Sequence, residues 1–278
     1  MKNILKIMLM MITIFTIAGS AVYAAEIPVS DQDQLITSRD WTEISNLQDE
    51  MKKEEPDATI DYDKALKVYV DCNLIKLQTA DTKKLTSALE SANYVWVIPF
   101  KMEKTYGMFT VAKGLPLSEE AKSVLTKAEQ EEVKNHAGKW MITEIAEHTV
   151  EPYYDILLEK REALSDCTRV VLVGSQPGMR QPVALGMDDE TARIWISLGY
   201  QYPVMEKIPE TQNVESGVYS FDSVAEISDT YIEDSEVSTG AGVQSRSSMK
   251  YVAGIGIIVI GSILILSVLK KKKLEDYE

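Results

Sequence analysis

Between Lys250 and Lys270–Lys273 the chain runs for nineteen residues, Tyr251–Leu269, without a single charge. As a helix rising 1.5 Å per residue, this stretch reaches roughly 28 Å, close to the hydrocarbon thickness of a bilayer. Twelve of its residues are Val, Ile or Leu. On the insertion scale they sum to roughly −4 to −7 kcal/mol. A buried core helix of that length normally carries a polar stripe, and this one has none. A membrane span over residues 250–270, its apolar part contacting lipid from Tyr251 to Leu269, is therefore expected. Lysines stay on the cytoplasmic side, which puts a short basic tail (271–278) inside.

The amino end agrees with that orientation. Lys2 and Lys6 precede an apolar run from Ile7 to Ala18, and Val22-Tyr23-Ala24 places small residues at the positions a signal peptidase reads. This order describes a secretory signal peptide over 1–24, cleaved between Ala24 and Ala25. The expected topology is single-pass in the cell membrane, with the amino terminus outside and the carboxyl terminus cytoplasmic. Val237-Ser238-Thr239-Gly240 precedes the span where a sortase signal would stand. It lacks the Leu-Pro of such a signal, so covalent attachment to a wall is not expected.

Charge narrows the partners. The whole chain carries −14; Ala25–Met249 holds 40 of the 43 acids and 22 of the 29 bases, a net −18. A surface of that sign repels phosphate backbones and anionic headgroups, which disfavours nucleic-acid binding. Asp61-Tyr62-Asp63 and Asp188-Asp189-Glu190 lack the spaced oxygen ligands and glycine of an EF-hand loop. Cys72 and Cys167 both fall on the oxidising side of the expected topology, where a disulfide between them is possible alongside two buried thiols.

The exterior divides by pattern. Residues 25–59 form a polar segment with one amphipathic helix from Arg39 to about Lys53, carrying Trp41, Ile44, Leu47 and Met51 on one face. Residues 60–209 mix periods. Strands are expected at Leu66–Val70, Tyr94–Phe100, Tyr106–Ala112, Lys139–Ile145, Arg169–Val173, Pro182–Met187 and Thr191–Leu198. Helices are expected over Ala80–Ala92, from Ser118 to about His136, where Thr126 with Glu129 forms a second capping box that would divide the stretch into two short helices, and over Thr149–Ala163. Pro99 is expected to limit its strand. Neighbouring strands read as hairpins, so the fold class is α+β, a mainly antiparallel sheet with several helices in one extracytoplasmic domain. Residues 210–249 hold few apolar side chains. From Glu210 to Ser248 there are eight acids and one base, Arg246, and this part is expected to be a disordered acidic stalk.

No catalytic motif emerges. His136 and His148 sit outside any HExxH arrangement, and Ser175 follows Gly174 directly, where a nucleophile elbow needs an intervening residue. No metal or cofactor is implied. Trp96, Trp140, Trp195, Tyr200 and Tyr202 fall in or beside expected strands. If turned outward they would offer stacking surfaces for a ligand; core packing is the plainer role. No Asn in the exterior opens an N-x-Ser/Thr sequon, which leans toward a bacterial membrane. The expectation is a non-enzymatic, single-pass surface protein of a bacterium that binds a protein, peptide or envelope component. A membrane-tethered envelope hydrolase or an accessory subunit of a membrane complex are the alternatives.

Overall fold

The structure is a computed structural model and describes residues 27–148, 151–174, 176, 179, 181–199, 202, 204–209 and 213–228. The expected leader, the Ala24–Ala25 junction, the membrane span and the basic tail lie outside them. The described residues build a mixed α+β fold around one ten-stranded sheet. In chain order its strands are β1 (Thr59–Ile60), β2 (Leu66–Tyr69), β3 (Tyr94–Lys101), β4 (Tyr106–Lys113), β5 (Trp140–His148), β6 (Arg169–Val173), β7 (Val183–Met187), β8 (Ala192–Ile196), β9 (Asn213–Glu215) and β10 (Val218–Ser220). The sheet order is β5-β4-β3-β2-β6-β7-β8-β10-β9, with β1 set against the far end of β3.

All pairings are antiparallel except one. At the centre β2 and β6 run parallel, Val68 opposite Leu172 and Tyr69 opposite Val173. Two antiparallel arrays thus fan outward from a parallel seam. Pro99 does not end β3, which continues through it to Lys101. The Pro99 carbonyl accepts from Asp61 N at 2.9 Å, so the missing N–H faces short β1 rather than β4, and the β3–β4 ladder runs unbroken. Opposite Phe100 stands Gly107, where any Cβ would strike the phenyl ring.

The helices are α1 (Trp41–Ser45), α2 (Gln48–Glu54), α3 (Thr82–Ser91), α4 (Glu119–Val124), α5 (Lys127–His136), α6 (Tyr153–Glu159) and α7 over 221–228. Alternation along the strands sorts the core into two faces. On the first, Trp96, Ile98, Phe100, Phe109 and Val111 pack beneath α1 and α2, while Val171, Leu185 and Trp195 pack beneath α3 and α7. On the second, Leu66, Val97, Leu172 and Ile196 pack against Tyr153 and Leu157 of α6. The helix expected from Arg39 to Lys53 is two short ones, broken at Asn46 and Leu47, yet Ile44 and Met51 still face inward together. The stretch from Ser118 to His136 is also two helices, because Thr126 and Glu129 form a reciprocal capping box between them.

Two domain boundaries differ from expectation. The segment 27–59, expected as a polar segment separate from 60–209, shares its core: Leu35, Ile44, Met51 and Ala58 lie in one buried cluster with Trp96 and Phe109. The expected stalk is folded over 213–228. There β9 and β10 form a hairpin paired with β8, and Phe221 and Val224 of α7 enter the core. Val218, Phe221 and Val224 supply the apolar surface that the average composition of 210–249 conceals. Residues 229–249 lie outside the described region.

Candidate functional site

Low in the sheet, β2 and β6 separate, and the amino-terminal segment fills the gap. Val170 N donates to Pro28 O at 2.8 Å, and Leu35 N donates to Ala65 O at 3.2 Å. Ile27 and Val29 belong to the core of the second face and Leu35 to that of the first, so the segment threads through the sheet. At the crossing Asp33 is buried to 2 % exposure. Its carboxylate accepts from Ser30 Oγ at 2.6 Å, Tyr69 OH at 2.7 Å and Arg169 Nη2 at 3.0 Å, and lies 3.4 Å from Lys67 Nζ. Burial pushes this carboxyl up, but the hydrogen bonds from Ser30 and Tyr69 and the charges of Arg169 and Lys67 outweigh it and hold Asp33 below the usual carboxylate range.

Lys67 is 9 % exposed. Its ammonium stands 4.7 Å from the Tyr94 ring centroid, 5.3 Å from Trp96 and 5.6 Å from Tyr69, a cage of three aromatic rings. Burial lowers its pKa despite the neighbouring Asp33. A second buried carboxylate, Asp40, accepts from Tyr94 OH at 2.8 Å and Trp96 Nε1 at 3.1 Å. Asp33 and Asp40 thus tie the segment between them to β2, β3 and β6. The sequence gives no periodic signal for this network, because its members lie up to 136 residues apart.

Ile36, carried between those two anchors, and Trp41, next to the second, form one wall of a surface furrow. A depression of about 390 Å³ is bounded by Ile36, Trp41, Ile60 and Tyr62. A second, of about 570 Å³, adjoins it through Thr59 and Lys101 and is lined further by Asp57, Met102 and Glu103. Trp41 and Tyr62 meet edge to face, ring centroids 5.2 Å apart. Partial burial raises the Tyr62 phenol above its ordinary pKa. Asp61 and Asp63 flank the aromatic pair. Lys64, the nearest cation on the turn, lies 2.8 Å from Asp155 and 3.7 Å from Asp61. Among the described residues Asp57, Asp63 and Glu103 enter no ion pair.

The aromatics singled out in the sequence are elsewhere. Trp96, Trp140, Trp195 and Tyr202 are all buried, so they are core residues and not stacking platforms; Tyr200 lies outside the described residues. Trp195 stacks on Phe221, and Tyr202 OH donates to Pro182 O at 2.6 Å. Trp41, on the apolar face of the expected helix, is the half-buried tryptophan that reaches the surface. Of the two alternatives for the cysteines, the structure has free, buried thiols at Cys72 and Cys167. Cys72 follows β2 and packs on the first face, whereas Cys167 precedes β6 and packs on the second. Because β2 and β6 are parallel, the five residues of β6 separate the two thiols along the sheet. At ~3.3 Å per residue that is roughly 16 Å, well beyond the reach of a disulfide.

His136 closes α5, and His148 is the last residue of β5, opposite Tyr106. Among the described residues no group of three His, Cys, Asp or Glu side chains converges as a metal site would require. No protein-family model, no curated protein and no solved structure matches the chain.

Proposed function

We propose that this chain is a single-pass bacterial surface protein whose α+β domain, outside the membrane, binds a protein, peptide or envelope component through the furrow at Trp41. In this reading the leader is removed between Ala24 and Ala25, Tyr251–Leu269 lies in the bilayer, and the tail over 271–278 faces the cytosol. The observation that carries the binding role is the furrow itself. It combines an exposed Ile36, a half-buried aromatic pair and carboxylates without ion-pair partners, whereas the large aromatics of the strands are sunk in the core. The placement rests on the charge-free stretch and the lysines that follow it.

Two measurements test the proposal. Protease added to intact cells stripped of any wall should remove nearly all the mass and spare the lysine-rich tail. Protection of the bulk with cleavage of the tail would invert the topology. A photoreactive amino acid in place of Ile36 should then capture another molecule in living cells, while the same group at Glu190, on the β7–β8 turn, should not. Equal capture at both positions, or capture at neither, would defeat the binding role. Recovery of a polytopic membrane complex through the span alone would favour an accessory subunit instead.

A further inference from the structure

Resting on that reading, we infer that the furrow takes a cationic amphipathic peptide segment, one apolar side chain against Trp41 and Tyr62 with basic residues on either side. The floor and near wall are apolar: Ile36, 37 % exposed, with Ile60, Trp41 and Tyr62. Around them stand Asp57, Asp61, Asp63 and Glu103, against Lys101 as the cation shared by both depressions. Asp61 shares Lys64 with Asp155, and the other three carboxylates have no ion-pair partner among the described residues. A segment that seats an apolar side chain here therefore gains Coulomb energy if its flanks are positive and loses it if they are negative.

Charge excludes two other occupants. A second copy offering the same face would set these carboxylates against their equivalents. The chain's own continuation beyond residue 228 begins acidic: Asp229–Glu236 holds four acids and no base. Trp41 and Tyr62 also suit a basic partner, since the faces of their rings attract Lys and Arg side chains. The occupant is therefore a positively charged segment of another molecule.

The test uses the full-length chain in zwitterionic lipid nanodiscs, with empty nanodiscs as the blank. The probe is a fluorescein-labelled nonapeptide alternating Lys and Leu, compared with its Glu-for-Lys counterpart, and binding is read by anisotropy. The Lys peptide should bind at least tenfold more tightly than the Glu peptide and should weaken as salt rises from 50 to 300 mM, where surface charges are screened. Trp41→Ala should cost at least tenfold, and so should the triple change Asp57→Asn, Asp61→Asn, Asp63→Asn, with an unchanged circular dichroism spectrum confirming the fold in each. Neutralising three acids elsewhere (Glu90→Gln, Glu132→Gln, Glu190→Gln) should leave affinity within twofold. Equal losses from the two triple variants would show attraction to net charge alone and overturn the inference, as would retention of binding by Trp41→Ala or no binding of the Lys peptide. If photocapture at Ile36 succeeds while the peptide fails, the binding role stands and only this partner class falls.

Discussion

Replacing Asp33 by Asn keeps the side chain's shape and removes its charge from the point where the amino-terminal segment crosses the sheet. Asp33 is 2 % exposed and faces two cations, Lys67 at 3.4 Å and Arg169 at 3.0 Å. Breaking a buried pair costs about 3–5 kcal/mol, mostly from the partner charge left uncompensated. Arg169 keeps 17 % side-chain exposure and can rehydrate in part, whereas Lys67 keeps 10 % and is enclosed by Tyr69, Tyr94 and Trp96. The lower end, about 3 kcal/mol, is therefore expected. For a domain of this size each kcal/mol moves the melting temperature by roughly 2–4 °C, so the variant should melt about 6–12 °C lower. Thermal circular dichroism of the full-length protein in detergent measures it.

The pH dependence gives this prediction a second edge. Because the folded state holds the Asp33 carboxyl below 3.8, its contribution is fully present above that value and is lost as pH falls through the lower, folded value. The advantage of the native protein over Asp33→Asn should be flat from pH 7 to about 4 and narrow only below that. Pairing Asp33→Leu with Lys67→Met should recover much of the loss, since a thioether suits a three-ring cage and no ammonium is left unpaired. A destabilisation under about 1 kcal/mol for Asp33→Asn, or a double variant no better than Asp33→Leu alone, would refute the account of Asp33 as the pin of this seam.

Three further outcomes are expected. Gly107→Ala should destabilise by about 1–3 kcal/mol in chemical denaturation, since the new Cβ drives into the Phe100 ring and that ring is packed against Phe109 at 4.6 Å; an unchanged denaturation midpoint would contradict it. Gln176→Ala should cost about 1–3 kcal/mol by the same assay, because Gln176 accepts from Leu74 N and donates to Cys72 O and Gly174 O, joining the loops that follow β2 and β6. Burial pushes the Cys72 thiol up to about 12 and the Cys167 thiol up to about 11, so both should resist alkylation at pH 8 in the native state and react fully in urea. A non-reducing mass two daltons lower, with no reactive thiol in urea, would restore the disulfide.

How much of this was legible follows from which signals are local. The β3–β4 hairpin was readable because Tyr94–Phe100 and Tyr106–Ala112 are long, apolar and close in sequence. The capping box at Thr126 needed only four residues to be recognised. The parallel pairing of β2 with β6 had no such mark, since 103 residues separate Val68 from its partner Leu172 and neither strand is long. The same holds for the threaded segment: Asp33 reads as one more acid in a polar stretch until Lys67 and Arg169 are brought to it. Tryptophans at strand positions gave no indication of direction, and those on β3, β5 and β8 all point into the core. The hairpin of β9 and β10 was obscured by averaging, because its few apolar residues sit within an acidic stretch.

The buried network and the furrow are parts of one device, and the link is the run from Asp33 to Trp41. Asp33 is bound to β2 and β6, Asp40 to Tyr94 and Trp96 of β3, and Ile36 and Trp41 project from the chain at and between those anchors. Thr37 Oγ1 and Ser38 Oγ close the intervening turn on the carbonyls of Asp31 and Leu35, at 2.6 and 2.8 Å. A wall held at both ends loses little conformational freedom when a ligand settles against it, so less of the contact energy is consumed in ordering. Asp33 touches nothing in the furrow, yet Asp33→Asn should weaken the Lys peptide measurably at a temperature where the variant is still folded. Trp41 fluorescence should also broaden and shift to the red in the free variant. If peptide affinity is unchanged although the melting temperature drops as expected, the furrow keeps its shape without the pin, and the charge buried at the seam serves stability alone.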